Sequence, residues 1–328
     1  MTLIVYSDEY LLHDNRQHPE NAERLRTIME FLKKMPFYEK IKFIKPKKIE
    51  EEEILKVHSK EMLEKAKHVG WLDIDTYTNE HSYEVAKLAA GGVIKACREV
   101  LGGKDKNAFC LVRPPGHHAT SRFSMGFCIF NNVAVAAHQI AEKGYKVLIF
   151  DHDVHHGNGT QDIFYESSKV LYQSIHLYPH YPMTGLIEEV GIDDGEGYTI
   201  NSPLPHGVGE ECIARILDEI MLPIAEQFSP DFILISAGFD SHHADFLGGM
   251  NLSINFYGRI IEKFQELQKR IVCCLEGGYN LEWLAKGVAV EIGKLANLPI
   301  YFDDRCYGKK CNDIVSNIKR KMKDYWEI

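Results

Sequence analysis

Long apolar segments and an excess of basic residues are both missing from this chain of 328 residues. No hydrophobic run approaches the roughly 20 residues that span a bilayer, so we do not expect an integral membrane protein. The chain carries 47 Asp and Glu residues against 38 Lys and Arg residues, which gives a formal net charge of −9. This balance argues against the broad basic surface that non-specific nucleic-acid binding requires, and it favours a cationic substrate.

The amino-terminal residues also lack a basic stretch followed by an apolar core and a small-residue cleavage site. They therefore do not look like a secretory signal, and we expect a cytoplasmic protein. No repeat and no linker rich in Pro, Gly or Ser divides the chain, so a single domain over residues 1–328 is the simplest organisation. We expect the lysine-rich residues 309–328 to form a final helix on the surface, with its charges solvated.

The eight cysteines include no CxxC pair. Most of them lie in apolar segments, which favours reduced and buried thiols. Cys306 and Cys311 are close enough in sequence to pair or to bind a metal, but no second pair of cysteines accompanies them. We therefore expect both of them to be free thiols.

Short apolar runs alternate with amphipathic segments along the whole chain. The runs predict eight strands at residues 3–6, 41–44, 109–112, 147–150, 170–175, 198–200, 232–235 and 271–275. The amphipathic segments predict helices at residues 21–34, 83–101, 133–143, 210–228 and 256–269. This alternation predicts an α/β fold in one domain, with an open, mostly parallel eight-stranded sheet and helices on both faces.

Polar clusters follow four of the predicted strands, at residues 116–118, 151–156, 238–240 and 276–279. Ligands of open parallel sheets bind outside the carboxyl ends of the strands, so we expect the four clusters to converge on one crevice. Packing alone does not account for such an arrangement.

One of these clusters has the pattern of a metal site. Asp151, Asp153 and His155 occupy alternate positions as the chain leaves a strand, so their side chains point to one side. With Asp240 from another strand end, the cluster can provide three ligands for a divalent cation and leave one position open for water. Taken alone, the Asp-x-Asp-x-His pattern is equally consistent with a hydrogen-bonded polar turn. The adjacent His117 and His118 lie on a Pro- and Gly-rich loop and suit acid–base chemistry near neutral pH.

With these residues assembled, the chain resembles the histone deacetylase family, within the arginase/deacetylase fold. The resemblance covers nearly the whole chain and is closest to the class II branch. Its six motifs occur in family order, and they are His18-Pro-Glu-Asn-Ala-Glu-Arg-Leu, Arg113-Pro-Pro-Gly-His-His-Ala, Gly126-Phe-Cys-Ile-Phe-Asn-Asn, Asp151-His-Asp-Val-His-His-Gly-Asn-Gly-Thr-Gln, Ser236-Ala-Gly-Phe-Asp and Glu276-Gly-Gly-Tyr-Asn.

The resemblance implies a zinc-dependent hydrolysis of an N-acetyl amide. It assigns the zinc, or alternatively iron(II), to Asp153, His155 and Asp240. The resemblance further implies structural potassium ions. A nearer potassium site would use Asp151, Asp153, His155, Ser174 and Ile175, and a second would use Phe164, Ser167, Val170 and Tyr198, in part through main-chain oxygens.

The resemblance also assigns the catalytic roles. Tyr279 would donate a hydrogen bond to the acetyl carbonyl oxygen, and His118 would be the general base and then the general acid. His117, backed by Asp151, would stay protonated and give electrostatic support. The partner of His118 is Asn158, where many family members have an aspartate, so His118 should be less basic than in those members.

A narrow apolar channel for the acylated side chain is implied as well. Its walls would be formed by Gly126, Phe127, Tyr181 and Pro182, with Gly278 beside them. Asp75 could be the rim carboxylate that holds a substrate amide, but an equally good interpretation is a residue that caps the amino terminus of a helix.

Other interpretations stay open at this level. A related amidohydrolase acting on acetylated polyamines or another small amine would have the same catalytic centre. A non-catalytic module that binds an acylated amine is disfavoured, because the metal ligands and Tyr279 are all present. An arginase-like hydrolase with two manganese ions is disfavoured by the Arg-Pro-Pro-Gly-His-His and Glu-Gly-Gly-Tyr motifs. DNA binding is disfavoured by the lack of a basic face.

Overall fold

Eight strands form one wholly parallel sheet, in the order 41–44, 2–5, 107–110, 271–275, 232–237, 147–151, 170–177 and 199–204, which is β2-β1-β5-β10-β9-β6-β7-β8 when the strands are numbered along the chain. The structure is a computed structural model and describes residues 1–103 and 105–328. The strands of this sheet are β1 Thr2–Val5, β2 Ile41–Ile44, β5 Asn107–Cys110, β6 Val147–Asp151, β7 Val170–Leu177, β8 Thr199–Leu204, β9 Phe232–Ala237 and β10 Ile271–Leu275. A separate antiparallel pair is formed by β3 Gly70–Trp71 and β4 Tyr77–Thr78.

Helices cover both faces of the sheet, which confirms the predicted fold class. Strands β6, β9 and β10 are buried along their full length, as expected for a parallel sheet covered on both sides. The helices are α1 Glu23–Leu32, α2 Glu51–Ile54, α3 Lys60–Ala66, α4 Ser82–Leu101, α5 Asn132–Ala141, α6 Asn158–Phe164, α7 Glu210–Ile216, α8 Leu222–Phe228, α9 Ile254–Leu267, α10 Leu281–Leu295 and α11 Asn312–Met322. Helices α1, α9 and α10 pack together, as do α4 and α5. In the part of the chain described, no helix is both long and apolar enough to cross a membrane.

The strand order explains why the polar clusters converge. The four clusters follow β5, β6, β9 and β10, and these strands are neighbours in the centre of the sheet. Because all strands are parallel, their carboxyl ends lie at one edge, and the residues after them meet there. The convergence of the four clusters predicted from the sequence is therefore a direct consequence of the sheet topology.

The cysteine prediction is wrong for two residues. Cys212 of α7 and Cys311, which directly precedes α11, form a disulfide across a sequence separation of 99 residues. The contact between α7 and α11 is a tertiary one, so no spacing rule could reveal the pair. The remaining six cysteines are free, and Cys306 donates a hydrogen bond to the Asn251 carbonyl oxygen at 3.0 Å.

The carboxyl-terminal residues contain α11, within the region where a final surface helix is predicted. Its apolar side is buried, with Val315, Ile318 and Met322 packed in the core against β8 and α7. Two lysines pair with acidic residues of α7 and its continuation, Lys310 with Glu211 and Lys319 with Glu219. The assignment of residues 1–328 to one catalytic domain stays a prediction.

Candidate active site

Three potential metal ligands meet at the carboxyl ends of β6 and β9. The ligand atoms of Asp153, His155 and Asp240 all lie within 4.8 Å of one another. His155 Nδ1 lies 3.0 Å from an Asp153 oxygen and 3.2 Å from an Asp240 oxygen. Both carboxylates are fully buried, and His155 is nearly so. The structure therefore brings together the three residues predicted to bind a metal.

The unsatisfied atoms of this group suit a cation. Asp153 accepts a backbone hydrogen bond on each oxygen, from the Gly277 amide at 2.7 Å and the His155 amide at 2.9 Å. Asp240 accepts one on a single oxygen, from the Val154 amide at 2.9 Å. The other oxygen of Asp240 is buried and forms no well-aligned hydrogen bond with the described residues, and His155 Nδ1 lies 3.2 Å from it. Such a bare carboxylate oxygen is costly unless a cation neutralises it. Two oxygens and one imidazole nitrogen form a donor set that fits zinc or another divalent cation.

Two glycines leave room for these carboxylates. A Cβ atom on Gly277 would lie 2.1 Å from an Asp240 oxygen, and one on Gly238 would lie 2.1 Å from an Asp153 oxygen. Both distances are shorter than any real contact of a Cβ atom, and the neighbouring groups are buried. Glycine is therefore required at both positions for the carboxylates to reach the site.

The two adjacent histidines have different partners. Nδ1 of His117 lies 3.1 Å from an Asp151 carboxylate oxygen, whereas Nδ1 of His118 lies 2.8 Å from the amide oxygen of Asn158. Because an amide oxygen only accepts, Nδ1 of His118 donates, and its Nε2 is left to accept a proton. The two rings lie 4.0 Å apart, and the His118 ring is 5.9 Å from that of His155.

The charges around the two rings act in opposite directions. Burial lowers the pKa of His117, but the Asp153 and Asp151 carboxylates outweigh it and raise that pKa to about 10. Burial lowers the pKa of His118, and the neighbouring His117 and His155 lower it further. The pair therefore separates into one protonated and one neutral imidazole.

A buried glutamate fixes the loop that carries the histidines. Glu276, the residue after β10, accepts hydrogen bonds from the Gly116 amide at 2.6 Å and the His117 amide at 3.2 Å. Burial raises the pKa of this carboxyl group to about 7, although the charge of His117 opposes the shift. In the sequence, Glu276 stands out only as part of a motif, and its contact is not predicted because it joins two strand ends that are neighbours only in the fold.

A second buried cluster supports the loop that carries Tyr279. The Glu20 carboxylate binds the guanidinium groups of Arg24 and Arg113, and all three side chains are fully buried. Arg24 also donates to the carbonyl oxygens of Gly278 at 2.8 Å and Glu276 at 2.5 Å. Its guanidinium carbon lies 5.2 Å from the centre of the Tyr279 ring. These roles were missed, although Glu20, Arg24 and Arg113 all stand in the motifs read from the sequence.

Aromatic rings pack beside His118 and Tyr279. The Phe127 ring is perpendicular to the Tyr279 ring at 5.8 Å, and the Tyr181 ring meets the His118 ring edge-on at 5.1 Å. Gly126 has a φ of +57°, and a Cβ atom there would lie 2.5 Å from the His118 ring. The predicted channel residues Gly126 and Tyr181 therefore lie against His118, and Phe127 lies against Tyr279.

The remaining predicted channel residues lie beside this group. Pro182 follows Tyr181 through a cis peptide bond, and Gly278 precedes Tyr279 with a φ of +115°. Asp75 is half-buried, and burial together with the nearby Asp73 raises the pKa of its carboxyl group to about 6. The interpretation of Asp75 as a helix cap is wrong, because β4 follows it and the next helix begins at Ser82. Its rim role stays a prediction.

The residues predicted to bind potassium fall into two places. In the nearer group, Asp151 and Ser174 are direct neighbours across β6 and β7. In the second group, Phe164, Ser167 and Val170 line a cavity of about 360 Å³. The Tyr198 carbonyl oxygen accepts a hydrogen bond from the Tyr172 amide at 2.9 Å. Both potassium sites stay predictions.

Another histidine and aspartate cluster lies outside this centre. Asp304 binds His242 Nε2 at 3.0 Å and His243 Nε2 at 2.9 Å through different oxygens. His242 Nδ1 accepts a hydrogen bond from the Ala244 amide, so its Nε2 carries the hydrogen and donates to Asp304. A nitrogen that carries a hydrogen has no lone pair for a metal, so we interpret this cluster as a clamp between the loop after β9 and the carboxyl-terminal segment.

Comparison with known families identifies the protein family. The family model described as the histone deacetylase domain matches residues 18–295. The chain belongs to the histone deacetylase family. A probable deacetylase of Archaeoglobus fulgidus is 35% identical to this chain, and the alignment covers 100% of this chain and 99% of the relative. A probable deacetylase of Methanothermobacter thermautotrophicus is 40% identical, with 87% of each chain covered.

Plant relatives and a solved structure agree with this assignment. Histone deacetylase 15 of Arabidopsis thaliana is 39% identical over 89% of this chain, which spans 56% of the length of the plant protein. The crystal structure of the HDA15 HD domain matches with a TM-score of 0.91 and 36% identity, and the match covers 99% of this chain and 97% of the other. The predicted family, fold and enzyme class are confirmed. This chain is a deacetylase of a metal-dependent family that acts on acetylated amines.

Proposed function

We propose that this deacetylase uses zinc to hydrolyse the N-acetyl amide of acetyl-lysine or a similar acylated amine. The observation that carries the proposal is the meeting of Asp153, His155 and Asp240 at one point, with a bare buried carboxylate oxygen among them. The chemistry that zinc supplies when bound is polarisation of a carbonyl group and a lowered pKa for water. Iron(II) accepts the same ligand types and is the alternative metal.

His118 has the geometry of the proton carrier. Its Nδ1 is engaged with Asn158, so its Nε2 can take a proton from the attacking water and return it to the leaving amine. His117 is held by the Asp151 carboxylate, and its positive charge can stabilise negative charge that develops on the acetyl group. The two adjacent imidazoles therefore serve different steps because their partners differ in charge.

Tyr279 provides the remaining hydrogen bond. Its hydroxyl group can donate to the acetyl oxygen as that oxygen gains negative charge. The neighbouring Phe127 and Tyr181 rings offer apolar surface against which the methylene chain of a lysine or a polyamine could pack. A module that only binds acylated amines would not need this complete set of groups.

Acetylated polyamines are the second candidate substrates. The net charge of −9 attracts a polyamine as well as a lysine-rich peptide, and both substrates present the same amide to the same residues. The potassium sites and the cytoplasmic location are also parts of the proposal, and they rest on the family resemblance and on the composition of the sequence.

A direct comparison of substrates tests the proposal. The zinc-loaded protein would be given an acetyl-lysine peptide and, separately, N-acetylputrescine, and acetate release would be measured. We expect peptide turnover that falls about 10²-fold or more in Tyr279→Phe and is lost in Asp240→Ala. Tyr301→Phe is the matched control, because Tyr301 is 72% exposed.

Two outcomes would change the assignment. Faster turnover of N-acetylputrescine than of the peptide would change the assigned substrate class to acetylated small amines. Lack of turnover of both substrates, with zinc verified in the protein, would contradict the proposal.

A further inference from the structure

We infer that Asp245 is a positioning residue for Tyr279, an inference that rests on the proposed function. Asp245 lies on the loop after β9, five positions beyond the metal-site residue Asp240. One of its carboxylate oxygens accepts two hydrogen bonds, from the Tyr279 amide at 2.6 Å and the Asn280 amide at 2.8 Å. A single carboxylate thus holds the backbone of the tyrosine itself.

The contact between the two loops is reciprocal. The Asn280 side chain donates to the Ala244 carbonyl oxygen at 3.0 Å, and its own oxygen accepts from the Trp283 amide to cap helix α10. The second Asp245 oxygen accepts from the Leu247 amide at 3.0 Å, which fixes the orientation of the carboxylate. Negative charge at the amino terminus of a 15-residue helix is also favoured by the helix dipole.

The segment before Tyr279 needs such support. Two glycines precede the tyrosine, and Gly278 has a φ of +115°, so the backbone there has few intrinsic restraints. Asp153 holds the Gly277 amide and Arg24 holds the Gly278 carbonyl oxygen, but the amide of Tyr279 is held by Asp245. The peptide unit that joins Gly278 to Tyr279 is therefore held on both sides, at its carbonyl oxygen by Arg24 and at its amide by Asp245.

Loss of this anchor should affect the reaction rather than substrate binding. Catalytic groups work within about 0.5 Å and 10–20° of the productive geometry, and a misplacement of about 1 Å can cost about 10²-fold in rate. The Tyr279 hydroxyl lies at the far end of a long side chain. A small rotation of the backbone at Tyr279 can therefore displace the hydroxyl by about 1 Å. The interaction that Tyr279 makes with the oxyanion is strongest in the transition state, so kcat should fall more than KM rises.

The sharpest test combines Asp245 and Tyr279 variants in one cycle. For zinc-loaded protein and an acetyl-lysine peptide, we expect Asp245→Ala to lower kcat about 10-fold to 100-fold with KM changed less than about threefold. In the Tyr279→Phe background, the same change should lower kcat less than about twofold, because the hydroxyl that Asp245 positions is already gone. Asp245→Asn keeps one acceptor oxygen, so its kcat should lie between the kcat of the wild type and that of Asp245→Ala.

Structural damage predicts a different pattern. If Asp245 only stabilises the fold or the metal site, its replacement will reduce kcat by the same factor in both backgrounds, or will reduce the zinc content. Either result overturns the inference. Asp194→Ala is the matched control, since Asp194 is exposed and should leave kcat and zinc content unchanged. If Asp245→Ala does not fold, Asp245→Asn takes its place in the same cycle.

Amide hydrogen exchange gives a readout that does not depend on activity. We expect the peptide covering residues 277–284 to exchange at least about tenfold faster in Asp245→Ala, with exchange in the sheet unchanged. Unchanged exchange there contradicts the inference. If the wild type deacetylates no acetylated amine, the proposed function fails, and the exchange measurement then decides alone whether Asp245 holds the Tyr279 backbone.

Discussion

Replacement of Glu20 by Gln should strongly destabilise the fold. Glu20, Arg24 and Arg113 are fully buried, and the carboxylate is the counter-charge for both guanidinium groups. Burial raises the pKa of Glu20, but Arg113 and Arg24 outweigh it and lower that pKa from 4.5 to about 2. A depression of this size corresponds to about 3 kcal/mol of stability. Removal of one partner from a buried ion pair gives a similar loss, about 3–5 kcal/mol.

The sign of the pH dependence follows from the lowered pKa. The contribution of Glu20 is complete above about pH 5 and is lost as the pH falls from about 4.5 towards about 2, because protonation then favours the unfolded state. The stability difference between the wild type and Glu20→Gln, measured by urea unfolding, should therefore be about 3 kcal/mol at neutral pH and less than half of that near pH 3.

A matched control separates this cluster from ordinary surface pairs. Glu23 lies three positions after Glu20 and is the exposed partner of Arg26. Glu23→Gln should lower the free energy of unfolding by less than about 1 kcal/mol. A loss below about 1 kcal/mol for Glu20→Gln, or a difference from wild type that is constant between pH 7 and pH 3, would show that Glu20 is not the counter-charge that stabilises the buried cluster.

Three further variants test separate features. Cys311→Ser should lower the free energy of unfolding by about 3–5 kcal/mol, because the disulfide to Cys212 closes a long loop; a reducing agent should lower the wild type equally and leave the variant unchanged in urea unfolding. Asn158→Ala should lower kcat about 10-fold to 100-fold at unchanged zinc content, because His118 loses the acceptor that orients it; equal kcat would count against that role. Gly126→Ala should abolish most peptide turnover while far-ultraviolet circular dichroism is retained, because the new methyl group would displace the His118 ring; full activity would contradict the described packing.

The sheet could be predicted because its strands carry a local signal. Each central strand is a continuous apolar run between helices, as in Val147–Asp151, and burial on both faces imposes that composition. The stretch predicted as one helix at residues 210–228 contains α7, a π-helical segment Leu217–Met221 and α8, which share nearly the same amphipathic pattern. The short strands β3 and β4 have two residues each, too few to give a periodic signal.

The predicted metal-binding residues could be grouped because they lie at or just after the carboxyl ends of strands. The alternation of Asp151, Asp153 and His155 is visible within five residues of sequence, and strand ends locate Asp240. Residues that act through tertiary contacts leave no such pattern. Glu276 reaches a loop from another strand, and Asp245 reaches a backbone amide 34 positions away. Their partners are set by the fold and could not be inferred from spacing.

The most direct test of the account is a metal titration of the purified protein. The chain would be stripped of metal with a chelator and dialysed, and zinc would then be added stepwise while bound metal and acetate release from an acetyl-lysine peptide are both measured. We expect activity to rise in proportion to the first equivalent of bound zinc, and we expect Asp240→Ala neither to bind that equivalent nor to become active. Full activity in metal-free protein, or restored activity in Asp240→Ala, would contradict a hydrolysis that depends on Asp153, His155 and Asp240.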